Sequence, residues 1–350
     1  MKFNKFLTAL LASVLLIVAS CKDDDPVYNN QETSYSGILI SNEGKFGTPS
    51  ATVDFVSSNL SEGILGIYNT SNNENLGDVL QTIGFKGTNA YLVVNNSNKI
   101  VVVNRFNFTK NAVITSNISS PRYIAFTDSQ YYVTNNNFFD VKKLNIYNNA
   151  DNTFVKSINF DRYAEKVVEA NGNIVVQTDG STYDNNYNEL PTGHTITIVK
   201  PATNAVDKTV TLPDAGIVKD LVSYEGFAYA LSSTSTDSYI YKINATDGTF
   251  TTTTLAGIPN IQKLRIDSGN FYFLDAANKV YAKNIATASS AASTLFTATG
   301  YVYGFDVIDG KIFVSNASFT GESTSYVYSS TGTQIKSFKS GIGTNGFYKN

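Results

Sequence analysis

The sequence predicts an all-β protein folded as a seven-bladed β-propeller, and three observations support this prediction. Tyr and Phe occur 22 times each, and aromatic and β-branched residues favour strands, whereas Asn, Asp, Ser and Gly favour turns. A hairpin of alternating apolar residues recurs along the chain at a period typical of propellers. After residue 20 no segment keeps a helical period, and the roughly 330 remaining residues suit one propeller better than one sandwich.

The repeated unit is a strand that ends at a tight turn and is followed by a second strand of alternating apolar residues. Asn-Gly, Asp-Gly and related pairs form the turns that match strand twist in a two-residue hairpin, so each such pair predicts one unit. The predicted turns are Gly87-Thr88, Asp128-Ser129, Asn171-Gly172, Glu225-Gly226, Ser268-Gly269 and Asp309-Gly310.

One equivalent position can be followed through the second strand of every unit. Its residues are Ile38, Ala90, Tyr131, Ile174, Ala228, Phe271 and Ile312, which follow one another at intervals of 41 to 54 residues. A period of about 40–45 residues with four strands per unit is the pattern of a propeller. Seven positions predict seven blades, and we expect longer loops in units one and four to account for the two longest intervals.

The two ends of the chain are predicted to complete one blade together. Unit one lacks a first strand of its own because Ile38 follows closely on the N-terminal tether, whereas residues 342–348 are left over at the C-terminus. Pairing the two ends would remove the free edge that an open sheet exposes. The alternatives are a pair of β-sandwiches and an irregular solenoid.

The N-terminus has the three parts of a secretory signal. Lys2 and Lys5 form its positive end, residues 6–19 are mainly apolar, and the small residues 18–20 precede Cys21, the only cysteine of the chain. The apolar run is shorter than the roughly 20 residues that span a bilayer. A small triplet before cysteine resembles a lipobox, so we predict lipidation of Cys21 and anchoring in the outer membrane. An ordinary signal peptide is the alternative.

An acidic run at residues 23–25 follows the cysteine. It resembles the signal that sends Bacteroidetes lipoproteins to the cell surface, and a solvated tether is the alternative. We therefore predict a signal peptide at residues 1–20, a lipidated acidic tether at 21–34 and the propeller at 35–350.

Charge and cysteine content narrow the function classes. Removing residues 1–20 changes the formal net charge from −3 to −5, because this segment holds two lysines and no acidic residue. With this sign and no basic run, nucleic acid is not an expected partner. With a single cysteine, the domain must be held by its core and not by disulfides.

A binding face is predicted at one end of the propeller. There the loops joining second to third strands present aromatic residues, and the loops entering the first strands add polar residues near the channel, Tyr163, Lys219, Lys263 and Tyr303 among them. Together these side chains could form a polar funnel for a ligand with acidic or amide groups. The predicted ligand-binding residues are Asn42, Glu43, Phe46, Arg122, Tyr123, Phe138, Phe139, Arg162, Tyr183, Tyr187 and Phe319.

Catalysis is not predicted. His194 is the only histidine and Cys21 is assigned to the lipid, which excludes zinc sites built from His and Cys, and no nucleophile motif surrounds His194. Asp184 opens a spacing that resembles a calcium loop, but Glu189 stands where the loop glycine belongs. We therefore predict no metal and no cofactor. The absence of Trp also disfavours quinone-dependent propellers, WD repeats and sialidases.

Several segments resemble a family of Bacteroidetes surface lipoproteins related to the YncE-like propellers, which includes the cobalamin-capturing BtuG proteins. The segments are residues 38–47 (ILISNEGKFG), 75–78 (NLGD), 93–100 (VVNNSNKI) and 120–125 (SPRYIA). The resemblance implies a non-enzymatic propeller that works with a TonB-dependent transporter, and it marks Asn42, Glu43, Phe46 and Arg122 as motif positions on the candidate face. The later repeats are more divergent, which leaves the cargo open.

The sequence thus predicts a surface lipoprotein that captures a scarce small solute, cobalamin or another, for a TonB-dependent transporter. Two other classes stay open. One is an interaction or adhesion module that binds a protein or a glycan on the same face. The other is a polysaccharide lyase or hydrolase, because carboxylates such as Glu43 and Asp179 are expected to share that face.

Overall fold

A computed structural model describes residues 34–180, 182–184, 186–188, 193–287 and 291–350. This part of the chain forms seven antiparallel sheets of four strands each, and the predicted seven-bladed propeller is confirmed. The first strands of neighbouring blades contact one another around the centre of the molecule. Within the described ranges, no helix is long and apolar enough to cross a bilayer.

In blades 2 to 4 the strands follow one another from the centre outward in chain order, and the first three strands of the chain form the outer part of blade 1 in the same way. Blade 1 contains β1 (Gly37–Asn42), β2 (Thr52–Ser57) and β3 (Gly63–Ile64). Blade 2 contains β4 (Leu80–Lys86), β5 (Asn89–Val94), β6 (Lys99–Asn104) and β7 (Lys110–Ile114). Blade 3 contains β8 (Pro121–Phe126), β9 (Gln130–Asn136), β10 (Lys142–Asn148) and β11 (Phe154–Asn159). Blade 4 contains β12 (Val167–Ala170), β13 (Asn173–Gln177), β14 (Thr195–Lys200) and β15 (Ala205–Thr211).

Blades 5 to 7 follow the same order. Blade 5 contains β16 (Ile217–Tyr224), β17 (Phe227–Ser233), β18 (Ser238–Ile243) and β19 (Phe250–Leu255). Blade 6 contains β20 (Ile261–Asp267), β21 (Asn270–Asp275), β22 (Lys279–Asn284) and β23 (Ser293–Thr297). Blade 7 contains β24 (Val302–Ile308), β25 (Lys311–Asn316), β26 (Ser323–Ser329) and β27 (Gln334–Ser340).

The last strand, β28 (Thr344–Lys349), closes the ring. It pairs antiparallel with β1 and forms the innermost strand of blade 1, with Ile38 opposite Lys349 and Ile40 opposite Phe347. The predicted joining of the two chain ends is therefore confirmed, and the sandwich and solenoid alternatives are excluded.

Four of the six predicted hairpin turns have positive φ at both central residues, as a type I′ turn requires. They are Asn171-Gly172, Glu225-Gly226, Ser268-Gly269 and Asp309-Gly310, with φ between 47° and 79°. In all six hairpins, the equivalent position chosen from the sequence lies in the second residue pair from the turn. The repeat read from the sequence therefore has the correct register in the structure.

The two long intervals between units come from loops, as expected. The connection from blade 1 to blade 2 holds one short helix, α1 (Ile67–Asn72), between left-handed residues Gly66 and Asn73. In blade 4 the long connection joins β13 to β14. A six-residue helix is too short to produce the helical period that a sequence search detects.

The core lies between the faces of neighbouring blades, where apolar residues of one sheet contact those of the next. Tyr131 and Tyr147, for example, are buried and stack at 5.0 Å between ring centres. Each fully buried Val, Leu, Ile or Phe side chain of this core contributes about 1.5–3 kcal/mol, which allows the ring to form without disulfides.

Candidate ligand-binding site

The first strand of each blade lines the central channel, and a pairing irregularity turns an additional side chain toward it. In six blades the register between the first and second strands shifts near the start of the first strand. In blade 4 the Gln177 carbonyl accepts the amide of Glu165, while the Gln177 amide donates to the carbonyl of Lys166. A β-bulge of this kind redirects side chains, so consecutive residues such as Arg122 and Tyr123 both face the channel.

Counting back from the hairpin turns aligns equivalent positions of the seven first strands in three tiers. The entrance tier, nearest the loops that join second to third strands, consists of Gln81, Arg122, Glu165, Lys219, Gln262, Tyr303 and Asn345. The middle tier consists of Thr82, Tyr123, Lys166, Asp220, Lys263, Gly304 and Gly346. The lower tier consists of Gly84, Ala125, Val168, Val222, Arg265, Asp306 and Tyr348.

Residues from each of these tiers line a cavity of about 260 Å³, which we call the central cavity. It lies at the end of the channel that carries the predicted binding face. Small residues of the middle tier in blades 7, 1 and 2 leave room on one side, whereas blades 3 to 6 place larger polar side chains on the other. Its lining consists of Glu43, Gln81, Thr82, Arg122, Tyr123, Lys166, Lys263, Arg265, Tyr303, Asp306, Asn345, Gly346 and Tyr348.

A ring of polar contacts passes through all seven blades around this cavity. In its first half, Asn345 of blade 1 donates to the Leu80 carbonyl of blade 2 at 2.8 Å, and Arg122 of blade 3 donates to Gln81 of blade 2 at 2.6 Å. Arg122 also binds the Glu165 carboxylate of blade 4 with two hydrogen bonds, of 2.6 and 2.8 Å. Bidentate pairs of this kind fix geometry as well as charge.

The second half of the ring runs through the buried carboxylate of Asp220 and the half-buried carboxylate of Asp306. Lys166 of blade 4 lies 3.6 Å from Asp220 of blade 5, and Asp220 accepts from Arg265 of blade 6 at 2.8 Å. Arg265 also donates to Asp306 of blade 7, whose other oxygen accepts the Phe347 amide of blade 1 at 2.9 Å. Most of the charged side chains around the cavity are thus committed to holding the blades together.

Lys263 differs from the other cations of the cavity. Its ammonium group donates to the backbone carbonyl of Tyr303 at 2.5 Å, but among the described residues no carboxylate forms an ion pair with it. Burial, together with the charges of Arg265 and Lys166, lowers the pKa of Lys263 to about 8. The nearby carboxylates of Asp220 and Asp306 favour its charged form but are paired with other cations, so within the described residues Lys263 carries its charge at the cavity wall without an ion pair of its own.

Glu43 is the buried carboxylate at the cavity entrance. Its Oε1 atom accepts hydrogen bonds from the Tyr303 hydroxyl at 2.7 Å and from Asn345 at 3.1 Å. Burial raises the pKa of Glu43, although these two hydrogen bonds and the charges of Arg122 and Lys263 oppose that effect. The entrance thus carries an acceptor whose negative charge is disfavoured.

Two groups of aromatic side chains flank the cavity on the loop face. The blade 7 group contains Tyr301, Tyr303 and Phe319, with ring centres 5.4 to 6.0 Å apart, and Tyr303 also lines the cavity. The blade 3–4 group is linked to the cavity by the Arg122 guanidinium, which lies 5.4 Å from the Phe138 ring. Its members are Phe138, Phe139, Tyr163, Tyr183 and Tyr187.

The structure places the predicted binding residues in the cavity wall, in the two aromatic groups, on the exposed surface and in a local ion pair. Glu43, Arg122 and Tyr123 line the cavity. The aromatic residues Phe138, Phe139, Tyr183, Tyr187 and Phe319 lie in the two flanking groups. Phe46 and Tyr187 are the most exposed, at 76% each. Arg162 contacts Asp179 at 3.4 Å and the Gly180 carbonyl at 3.2 Å.

Asn42 is a correction to the predicted binding face. Its side chain is fully buried, donates to Asp54 at 2.8 Å and accepts from Thr344 at 2.6 Å. It therefore fixes β28 to blade 1 and has no surface to offer a ligand.

His194 has a local partner, since its Nδ1 atom lies 2.8 Å from the Gly216 carbonyl oxygen. Cys21 lies outside the described residues.

Sequence reasoning missed most of the middle and lower tiers. Lys166, Asp220, Arg265 and Asp306 were not predicted, because their direction depends on the bulge and on the exact start of each first strand. Aligning the six hairpins and the C-terminal strand position by position, and asking which charged residues recur at equivalent positions of the first strands, would have identified them.

The chain matches a family described as a domain of unknown function, DUF5074, over residues 36–347. The chain belongs to this family. The matched segment includes both aromatic groups and every residue that lines the central cavity except Tyr348, so these features belong to the family domain. No curated protein shows significant similarity to the chain.

Solved structures show the same fold at low identity. A functionally unknown protein from Desulfotomaculum acetoxidans has a TM-score of 0.64 at 13% identity, covering 89% of this chain and 98% of its own. Kuenenia stuttgartiensis hydrazine synthase has a TM-score of 0.57 at 12% identity, covering 74% of this chain and 86% of its own. The Neurospora crassa Pan2 WD40 domain has a TM-score of 0.55 at 10% identity, covering 83% and 89%. At such identities the likeness concerns the fold alone.

Proposed function

We propose that this protein captures a small solute at the loop face of its propeller and passes it to a TonB-dependent transporter. The observation that carries the proposal is the polar central cavity, which is flanked on the same face by two aromatic groups. Ligand sites typically combine apolar walls with a few convergent polar groups. A propeller of this kind is suited to ligand binding or to interaction.

Cobalamin is the first cargo to test, since the sequence resembles the BtuG proteins at residues 38–47 and 120–125. A corrinoid is far larger than a 260 Å³ cavity. It would have to lie across the aromatic groups, with only a substituent entering the cavity. The amide groups at its edge match the polar residues at the entrance, Gln81, Glu43 and Asn345.

The test is isothermal titration of protein lacking residues 1–21 with cobalamin, beside the variants Tyr301→Ala and Ile335→Ala. Tyr301 is 59% exposed in the blade 7 aromatic group, whereas Ile335 is 50% exposed on the outer strand of the same blade. We expect Tyr301→Ala to weaken binding about tenfold and Ile335→Ala to leave it unchanged. Absence of heat at micromolar concentration would remove cobalamin as the cargo.

The cellular part of the proposal is a lipid anchor on Cys21 and a transporter partner. Metabolic labelling with a fatty acid should label the wild-type chain and not Cys21→Ser, and added protease should digest the anchored protein on intact cells. Affinity purification from outer membranes should recover a TonB-dependent transporter. Recovery of other partners in its place would instead favour an interaction or adhesion module, which the exposed Phe46 and Tyr187 rings also suit.

A further inference from the structure

We infer that the central cavity is a binding site for an oxyanion, the carboxylate or phosphate group of a ligand, held chiefly by the ammonium group of Lys263. The inference goes beyond the capture of a solute on the loop face. It concerns the cavity alone, whether the anion enters as a free ion or as the acidic end of a larger molecule.

The carboxylates of Asp220, Asp306 and Glu165 already have partners other than Lys263. Asp220 and Asp306 both accept from Arg265, and they also accept the backbone amides of Leu264 and Phe347 respectively. Glu165 is occupied by two hydrogen bonds from Arg122. These carboxylates are therefore committed to cations and amides other than Lys263.

Lys263 is placed so that its side chain reaches the cavity. It lies in the middle tier, on the wall that faces the small residues Thr82 and Gly346, and it lines the cavity. One of its three donors is used by the Tyr303 carbonyl, and the other two have no hydrogen-bond acceptor among the described residues. Lys166 lines the same cavity from blade 4, with its ammonium group over the Tyr123 ring at 3.9 Å.

Glu43 lines the cavity wall and forms no ion pair among the described residues. Its Oε1 atom accepts from Tyr303 and Asn345, and burial raises its pKa. A bound oxyanion would meet a carboxyl group that can take up a proton and donate it, in place of a fixed negative charge. A site with two ammonium groups and such an acid selects for acidic ligands.

The test uses inorganic phosphate and phenyl phosphate as probes, titrated calorimetrically into protein lacking residues 1–21 at constant ionic strength. We expect phosphate to bind the wild type and Lys263→Met to weaken binding about tenfold to 100-fold. Lys336→Met, which removes an exposed lysine of β27, should bind as the wild type does. Tighter binding of phenyl phosphate, reduced by Tyr301→Ala, would identify the acidic end of a larger ligand, whereas equal binding of both probes would identify a free anion.

A second measurement needs no variant. The groups that face Lys263 are Arg265, Lys166, Asp220, Asp306, Tyr303 and Glu43, with Lys219 in the tier above. Because the pKa of Lys263 is about 8, anion affinity of the wild type should fall as the pH rises from 8 to 10. Lack of phosphate binding at millimolar concentration, or equal affinity of wild type and Lys263→Met, would overturn the inference. Either result leaves cobalamin binding on the loop face as a separate question.

Discussion

Asp220 accepts hydrogen bonds from Arg265 and from the backbone amides of Leu221 and Leu264, and it lies 3.6 Å from Lys166. Burial opposes its ionisation, but the charges of Lys166, Arg265 and Lys263 and the hydrogen bond from the Leu264 amide together outweigh burial and lower the pKa of Asp220. A carboxyl group whose pKa is lowered by folding stabilises the protein above its unfolded pKa of about 4, and this contribution is lost as the pH falls through the folded pKa.

We therefore expect Asp220→Ala to destabilise the propeller by about 3–5 kcal/mol, since it leaves two buried cations without their partner. The measurement is urea unfolding at pH 7. Asp128→Asn is the matched control, because Asp128 pairs with Lys86 at 3.2 Å on an exposed surface and its loss should not measurably change stability. Equal stability of Asp220→Ala and wild type would show that the polar ring does not hold the blades together.

The pKa shift of Lys263 destabilises the folded protein, whereas that of Asp220 stabilises it. Its pKa falls on folding to about 8, so the charged form opposes folding below pH 8, and this cost is relieved as the pH rises toward the unfolded value of about 10.4. We expect Lys263→Met to be more stable than wild type at pH 7 by about 1–3 kcal/mol, with the difference shrinking toward pH 10. Thermal melts of both proteins across this range measure it, and a pH-independent difference would contradict it.

The sequence placed individual residues near the channel correctly where their position at the entry to a first strand was enough to locate them. Arg122, Tyr123, Lys263 and Tyr303 were expected near the channel from their place at the entry to first strands, and all four line the cavity. Asn42 was misplaced because adjacent residues in a strand point to opposite sides. Glu43, the next residue, faces the cavity while Asn42 faces the core of its blade.

At the scale of elements, the hairpins were the most predictable feature of the molecule. Their turns are local, and Gly at the second turn position relieves the strain of a positive φ. The β-bulges could not be found in this way, because a bulge is a relation between two strands and leaves no consistent residue type. The residues at the bulges of the entrance tier differ in type, as Gln81, Lys219 and Tyr303 show.

A substitution at one hairpin tests the turn geometry. Gly269 has φ of 73° with no atom within 4 Å of an added Cβ, so Gly269→Ala costs only backbone strain, about 1–2 kcal/mol. Gly321→Ala is the control, because Gly321 has no positive φ and its added Cβ would meet only Ser318 Oγ, at 4.0 Å. Thermal unfolding of the two variants should separate them, and equal melting temperatures would contradict the type I′ assignment.

At the scale of the whole molecule, closure depends on contacts between residues more than 300 positions apart. Phe347 lies opposite Ile40 in the pairing of β28 with β1, and Thr344 donates to Asn42 at 2.6 Å. The sequence predicted this closure because the repeat was one strand short at one end and had one strand to spare at the other. It could not predict the partners of individual side chains, since these arise only when seven bulged strands meet around one axis.

Deleting residues 344–350 should therefore open the ring. The deletion removes the backbone hydrogen bonds between β28 and β1 and so exposes the edge of β1. It also leaves Asp306 without the Phe347 amide. We expect a broad thermal transition and self-association by light scattering, because an exposed strand edge is a template for pairing. Adding a synthetic peptide of residues 343–350 should restore a cooperative transition, since a ligand that binds only the folded state stabilises it. The same peptide with Phe347→Asp should not, because the carboxylate would be buried against Phe313. A truncated protein that melts as sharply as the wild type without peptide would show that blade 1 holds together without its innermost strand.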